Sequence, residues 1–344
     1  MSTGIKHERP GVYSSYETSG LTAAAAGGGK VAVIAAASGT NLETSYQWTS
    51  YSRALADVGD CALSRMARLA IRNGAGTVYG IPAGTNYDGA IAAAAALEDV
   101  DVVVCDSTTL AVQQDVRDMV MECSAARKER IAVVGGAAGE SVTQLTTRAA
   151  GLNCERVVLV APGMGDGSGG AMCAAAVAGA IAGNSDPALP LGGAQLYGLD
   201  GLEGNYDDGE IDALVQGGVT ALETLAGSCY VVRGVTTRTT TGGAADTAWR
   251  ELTTILVVDE VIPGLRNALR AKFSRAKNTP QTRGAIRSQT VMELEKRVSR
   301  EIIDGYEDVT VSALESDPTV CLVEFAFTVA HGLNQVWLSA HITV

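Results

Sequence analysis

Between Lys30 and Gly183, short apolar runs alternate with longer segments of helical periodicity, and this alternation constrains the fold more than any other feature. Val31–Ala37, Thr77–Ile81, Val100–Cys105, Ile131–Val134 and Val157–Ala161 are largely apolar at successive positions, as strands covered on both faces are. Arg53–Arg72 sets Leu55, Val58, Ala62 and Leu69 at helical spacing and stops at Asn73-Gly74. Further helices are expected over Asp88–Leu97, Leu110–Arg127 and Ser141–Ala150, and an alanine-rich helix runs up to Gly183. Repeated strand–helix units imply a mostly parallel sheet flanked by helices.

The rest of the chain reads differently. Residues 1–29 form a polar arm ending in the hinge-like "AAAAGGG", and 30–195 form the α/β domain. Residues 196–334 read as an α+β domain. It holds a helix near Glu210–Gln216, a hairpin of Thr220–Leu225 with Ser228–Val235, and a helix over Trp249–Lys277 with a possible break at Pro263-Gly264. A second long helix over Pro280–Ile303 and a strand over Val320–Ala330 follow, and residues 335–344 are a terminal strand. The fold class is therefore α/β followed by α+β, with extended arms at both ends.

Composition excludes several functions. The formal charge of −12 argues against a nucleic-acid binder, whose footprint is basic. No apolar run is long enough to span a bilayer, and the first residues resemble no leader, so a soluble protein made in a cytoplasm is expected. The seven cysteines are scattered without a C-x-x-C and several lie inside apolar runs, as small buried hydrophobes do.

One stretch invites a cofactor. "VVLVAPGMGDGSGGAMCAAAVAGAIAG" (157–183) runs strand, glycine turn and helix, and Gly165, Gly167 and Gly170 spell G-x-G-x-x-G. A dinucleotide fold needs more: a second strand ending in an acidic residue about 20 residues on. Asp186 instead falls in the broken loop "NSDPALPLGG". An oxidoreductase of the nicotinamide type using Gly165–Gly170 is the alternative reading, and a tight packing turn with no ligand is the leading one. The three histidines (His7, His331, His341) come with no thiol or carboxylate cluster, so no metal site is expected. The acidic run at Asp207, Asp208, Glu210 and Asp212 reads as a helix cap rather than a cation loop. No catalytic, cofactor or metal residue is assigned.

The ends carry more. "QVWLSAHITV" alternates, with Val336, Leu338, Ala340 and Ile342 on one side, so it suits strand addition to a neighbour or pairing within its own subunit. From Val261 to Met292 there is no acidic residue, while Arg266, Arg270, Lys272, Arg275, Lys277, Arg283 and Arg287 are basic. Ile262, Leu265, Leu269, Phe273 and Ala276 form an apolar stripe beside them. The basic face is either solvated or docks on an acidic partner.

Taken in order, these segments resemble the contractile tail sheath family of myophage tails and phage-tail-like bacteriocins. "HERPGVY" is similar to the family's N-terminal E-x-P-G-V-Y in Glu8, Pro10, Gly11, Val12 and Tyr13. "VVLVAPG" with "AVAGAIAG" and "DPALPLGG", then "VVRGVTTRT" and "WRELTTILVVDEVIPGLRNAL", follow the family's order. The resemblance implies a non-enzymatic subunit that polymerises as stacked hexameric rings around an inner tube. It further implies baseplate and terminator partners, and contraction by rigid-body rearrangement that drives the tube through a cell envelope. Pro10–Tyr13 and Val336–Ile342 would then pair strands between subunits. Arg266, Arg270, Lys272, Arg275 and Lys277 are the candidate tube-facing residues, and the particle would be a virion tail or a phage-tail-like body.

Overall fold

The computed structural model describes residues 28–37 and 44–333. The expected alternation is present as β1 (Lys30–Ala36), β2 (Tyr46–Trp48), α1 (Tyr51–Val58), α2 (Ala62–Arg72), β3 (Thr77–Ala83), α3 (Asp88–Ala96) and β4 (Val102–Cys105). It continues through α4 (Leu110–Ala125), β5 (Ile131–Gly135), α5 (Val142–Leu152), β6 (Val157–Ala161) and α6 (Ala171–Gly183). Then come β7 (Gln195–Leu196), α7 (Asp208–Gln216), β8 (Val219–Leu225) and β9 (Ser228–Val231).

These strands form one nine-stranded sheet in the order β2-β3-β1-β4-β5-β6-β8-β9-β7. From β3 to β8 every pairing is parallel, and β2, β9 and β7 are added at the margins by antiparallel pairing with β3, β8 and β9. Consecutive strand residues feed opposite cores. Val31, Val33, Val104, Val133 and Val158 face α2 and α6, whereas Ala32, Ile34, Val103, Val134 and Leu159 face α3, α4 and α5. Helices on both faces explain why the strands read as continuous apolar runs rather than alternating ones.

Local signals set the element ends. Ser141 and Gln144 make a reciprocal cap at α5, which Asn153 closes in the left-handed region with φ 36°. The alanine-rich helix α6 is nearly engulfed, and small residues let it approach its neighbours: a Cβ on Gly179 would stand 2.8 Å from Ala70 Cα, and one on Gly183 would stand 2.7 Å from Gly74 Cα.

The chain then builds a second unit. After a short ribbon of β10 (Thr240–Thr241) and β11 (Ala244–Ala245), α8 (Leu252–Phe273) and α9 (Pro280–Val298) pack on the hairpin of β12 (Ile303–Leu314) and β13 (Asp317–Val329). Three expectations change here. The boundary expected at 195 falls inside the sheet, because β8 pairs with β6 and carries β9 and β7 with it. Helix α8 does not break at Pro263; the carbonyl of Glu260 near the proline accepts from Arg297, and Gly264 leaves space for that guanidinium. The hairpin begins at Ile303, so the first long strand precedes the one expected at Val320–Ala330. The arm residues Pro10–Tyr13 and the strand Val336–Ile342 lie outside the described residues.

Candidate functional site

The glycine turn is filled by protein. It begins after β6 and ends at α6, and Gly170 N–H donates to Gly136 O at 2.9 Å. A Cβ on Gly170 would sit 2.8 Å from Gly135 Cα, so backbone stands where a pyrophosphate would have to approach. Residues 201–203 bridge the turn, with Gly165 N–H donating to Gly201 O (3.1 Å) and Glu203 N–H to Gly163 O (2.9 Å). Asp186 turns its own loop by accepting from Ala188 N–H at 3.0 Å. Among the described residues, the geometry supports the packing turn and gives the oxidoreductase reading no cradle.

The sheet's carboxyl edge is also braced internally. Asp106, at the end of β4 where the order of connection reverses, accepts from Ala36 N–H and from the Tyr87 hydroxyl, both at 2.7 Å. Burial pushes its carboxyl above the ordinary aspartate value, against those two donors. Arg148 ties Glu140 (2.5 Å) to Thr108 O (2.7 Å) across the ends of β4 and β5. Burial pushes the Cys105 thiol to about 12 and those of Cys154 and Cys229 to about 11, so they are protonated and inert at neutral pH. Asp207 and Glu210 exchange cap hydrogen bonds at the start of α7, as the capping reading expects. Among the described residues no three His, Cys, Asp or Glu side chains gather as a metal set.

The basic stretch divides. Arg266 pairs with Glu129 at 2.8 Å, and Asp259, about two helical turns earlier, accepts from both terminal Arg156 nitrogens at 2.7 and 2.8 Å. These pairs fasten α8 to the amino ends of β5 and β6, so Arg266 is a brace rather than a free contact. Arg270, Lys272, Arg275 and Lys277 are exposed at the far end of α8 and in the turn after it. Lys272 donates to Gln289 and Arg283 to Asn278 Oδ1, both uncharged partners. Asn278 in turn donates to Pro318 O (2.7 Å) and Val320 O (3.2 Å), which ties the basic end to the tip of the hairpin.

The hairpin is the other assembly element. On its inner face Val309, Phe325, Phe327 and Val329 pack on α8 and α9, while Thr310, Ser312, Leu322 and Thr328 face outward. Its sheet has two strands, of 12 and 13 residues, and among the described residues both outer edges are unpaired. Such edges are templates for further strands, and two-stranded sheets are marginal by themselves. Sequence reading missed β12 because its charged residues (Asp304, Glu307, Asp308) hide the alternation; the signal was "VTVSAL" followed by the turn "ESDP".

The chain is thus a three-layer α/β body carrying an α+β unit whose hairpin edges are unpaired among the described residues. Two family descriptions match the chain: "Phage tail sheath protein central domain" over residues 82–237 and "Phage tail sheath C-terminal domain" over 244–343. The tail sheath protein of Bacillus phage SP01 is 28% identical over 256 residues, 71% of this chain; the match spans only 43% of that relative's length. Among solved structures, the sheath tail protein of Desulfitobacterium hafniense superposes with TM-score 0.67 at 14% identity, covering 93% of this chain and all of that one. The anti-feeding prophage helical sheath in its contracted state gives TM-score 0.69 at 14% identity, covering 96% of this chain and 98% of that one. The chain belongs to the phage-type contractile tail sheath family.

Proposed function

We propose that this chain is a structural, non-catalytic subunit of a contractile sheath, polymerising as hexameric rings stacked helically around an inner tube and contracting to drive that tube through a target cell envelope. The observation that carries the reading is the β12–β13 sheet, whose two outer edges are unpaired among the described residues, beside the α/β body. In this reading the arms, Pro10–Tyr13 and Val336–Ile342, complete the sheet of a neighbouring copy. Each net backbone hydrogen bond is worth about 0.5–1.5 kcal/mol, so a short strand gives several kcal/mol per contact. Arg270, Lys272, Arg275 and Lys277 form the tube-facing end, with baseplate and terminator proteins at the ends of a virion tail or phage-tail-like particle assembled in the host cytoplasm.

Negative-stain electron microscopy of the purified chain, with and without its tube protein, tests the reading. Hollow cylinders of stacked rings, wider without the tube than around it, are expected; small discrete particles under every condition would refute it. Reversing Arg270 and Lys277 to Glu should abolish co-assembly on the tube, measured by co-sedimentation.

A further inference from the structure

Two surfaces of this chain carry exposed charges of one sign that form no ion pair among the described residues. Between Arg156 and Arg233 there is no basic residue, yet Asp166, Asp200, Glu203, Asp208, Glu210 and Asp212 all stand exposed. The hydrogen bonds between 163–165 and 201–203 bring the first three together, and the cap at Asp207 sets the start of α7 beside them. Tyr206 lies half-buried among them; burial first, then the carboxylates of Glu203 and Glu210, push its hydroxyl to about 12. Among the described residues none of the six carboxylates forms an ion pair, whereas Glu129, Glu140, Glu155 and Asp259 all do. The opposite surface is the end of α8 and the start of α9. There Arg270, Lys272, Arg275, Lys277, Arg283 and Arg287 have no carboxylate partner among the described residues.

The two surfaces lie at opposite edges of the sheet. Glu129 and Arg156 anchor α8 at the amino ends of β5 and β6, while the acidic surface follows the carboxyl end of β6. They cannot meet within one chain. Each also exposes apolar side chains: Leu225 (52% exposed) ends β8, whose Thr224 N–H donates to Asn205 Oδ1 at the acidic edge. At the basic end, Val320 (40%) and Leu322 (39%) stand on the hairpin held by Asn278. Apolar contacts ringed by complementary charge are what specific interfaces use.

We propose that the acidic carboxyl edge of one copy docks on the basic α8–α9 end of a second copy. This contact is head-to-tail, and a head-to-tail contact repeats as a ring or an open helical stack rather than closing as a dimer. The inference rests on the sheath reading and adds a second acidic claimant, besides the tube, for the same basic end. Because both surfaces are exposed, the contact weakens with added salt.

The experiment is a charge swap, measured by sedimentation velocity and negative stain without tube protein at low and high salt. One variant carries Asp200→Lys, Asp208→Lys and Asp212→Lys, which spares the cap residues Asp207 and Glu210. The other carries Arg270→Glu, Arg275→Glu and Lys277→Glu. Each alone should self-associate at least tenfold more weakly than the wild-type chain, and mixing the two should restore association, because each reversed surface then meets its opposite. A triple Asp→Asn variant at the acidic positions should show a smaller loss with reduced salt dependence, and serves if the Lys variant does not fold. Wild-type association by the acidic-surface variant would overturn the proposal. So would two weakened variants with native circular dichroism that do not rescue each other. Unchanged self-association in the basic variant would overturn it as well and leave that end to the tube. A wild-type chain that never associates would sink the sheath reading itself, and the inference with it.

Discussion

At the residue scale, the glycines of the β6–α6 turn separate two demands that the sequence motif merges. Gly170 has an ordinary φ of −84° but no room, since its Cβ would meet backbone of Gly135 and Gly136 at 2.8 Å. Gly167 has room, with nothing within 4 Å, but a φ of +78°. Gly170→Ala should therefore cost about 3 kcal/mol through overpacking, and Gly167→Ala about 1 kcal/mol through backbone strain; urea unfolding of the two variants checks the order. The Glu129–Arg266 pair gives a second test. Burial pushes the Glu129 carboxyl up, but the hydrogen bond and charge of Arg266 outweigh it and hold the carboxyl below its ordinary 4.5. A carboxyl depressed in the folded state contributes stability above its unfolded value, and that contribution is lost as pH falls through the folded one. The melting temperature of the wild type should thus fall more steeply below pH 4.5 than that of Glu129→Gln. The motif was legible as a turn, and its lack of a following acidic strand already counted against a cofactor. That Arg266 is a brace was not legible, because its partner lies 137 positions away in sequence, before β5.

At the element scale, apolar runs were read correctly where both faces are covered, and less well where one face is open. β1, β4, β5 and β6 bury nearly every residue, so composition alone marks them. β12 buries alternate residues and exposes acidic ones, and its pairing is set by β13 rather than by its own propensity. The extension of the sheet through β8 and β9 was hidden for a related reason: β8 joins β6 across the α7 connection, and register is a property of the pair. The two faces of β13 should respond differently to substitution. Phe325→Ala removes a ring that packs on the α8–α9 core and stacks near Phe327. Because that ring is only partly buried, the loss should be about 2 kcal/mol, below the range for a fully buried phenylalanine. Leu322→Ser, on the outer face, should change monomer stability by less than about 0.5 kcal/mol. Equilibrium unfolding of the isolated subunit in urea decides between the faces.

At the scale of the whole molecule, the two units share one body because α8 is pinned to the sheet's amino edge. Arg156 with Asp259 and Arg266 with Glu129 cross the boundary, and Thr237 hydrogen-bonds Cys154 through both backbone groups at 3.0 Å, so the segment leaving the sheet is itself anchored. The cores on both sheet faces and under the hairpin are built from described residues. A chain reduced to residues 28–333 should therefore fold with the full chain's far- and near-ultraviolet circular dichroism and unfold in one cooperative transition. In the proposed assembly it would keep the strand-accepting edges yet lack the strands to donate, so it should form no cylinders under conditions where the full chain does, and associate only through the salt-sensitive contact of its charged surfaces. Added to the full chain in excess, it should cap growth and shorten those cylinders, because it accepts a neighbour's arms and passes none on. Size-exclusion chromatography with light scattering reads the first outcome and electron microscopy the second. Loss of folding on truncation would place the arms inside their own subunit, and cylinders formed by 28–333 alone would move the assembly contacts off the arms and onto the body.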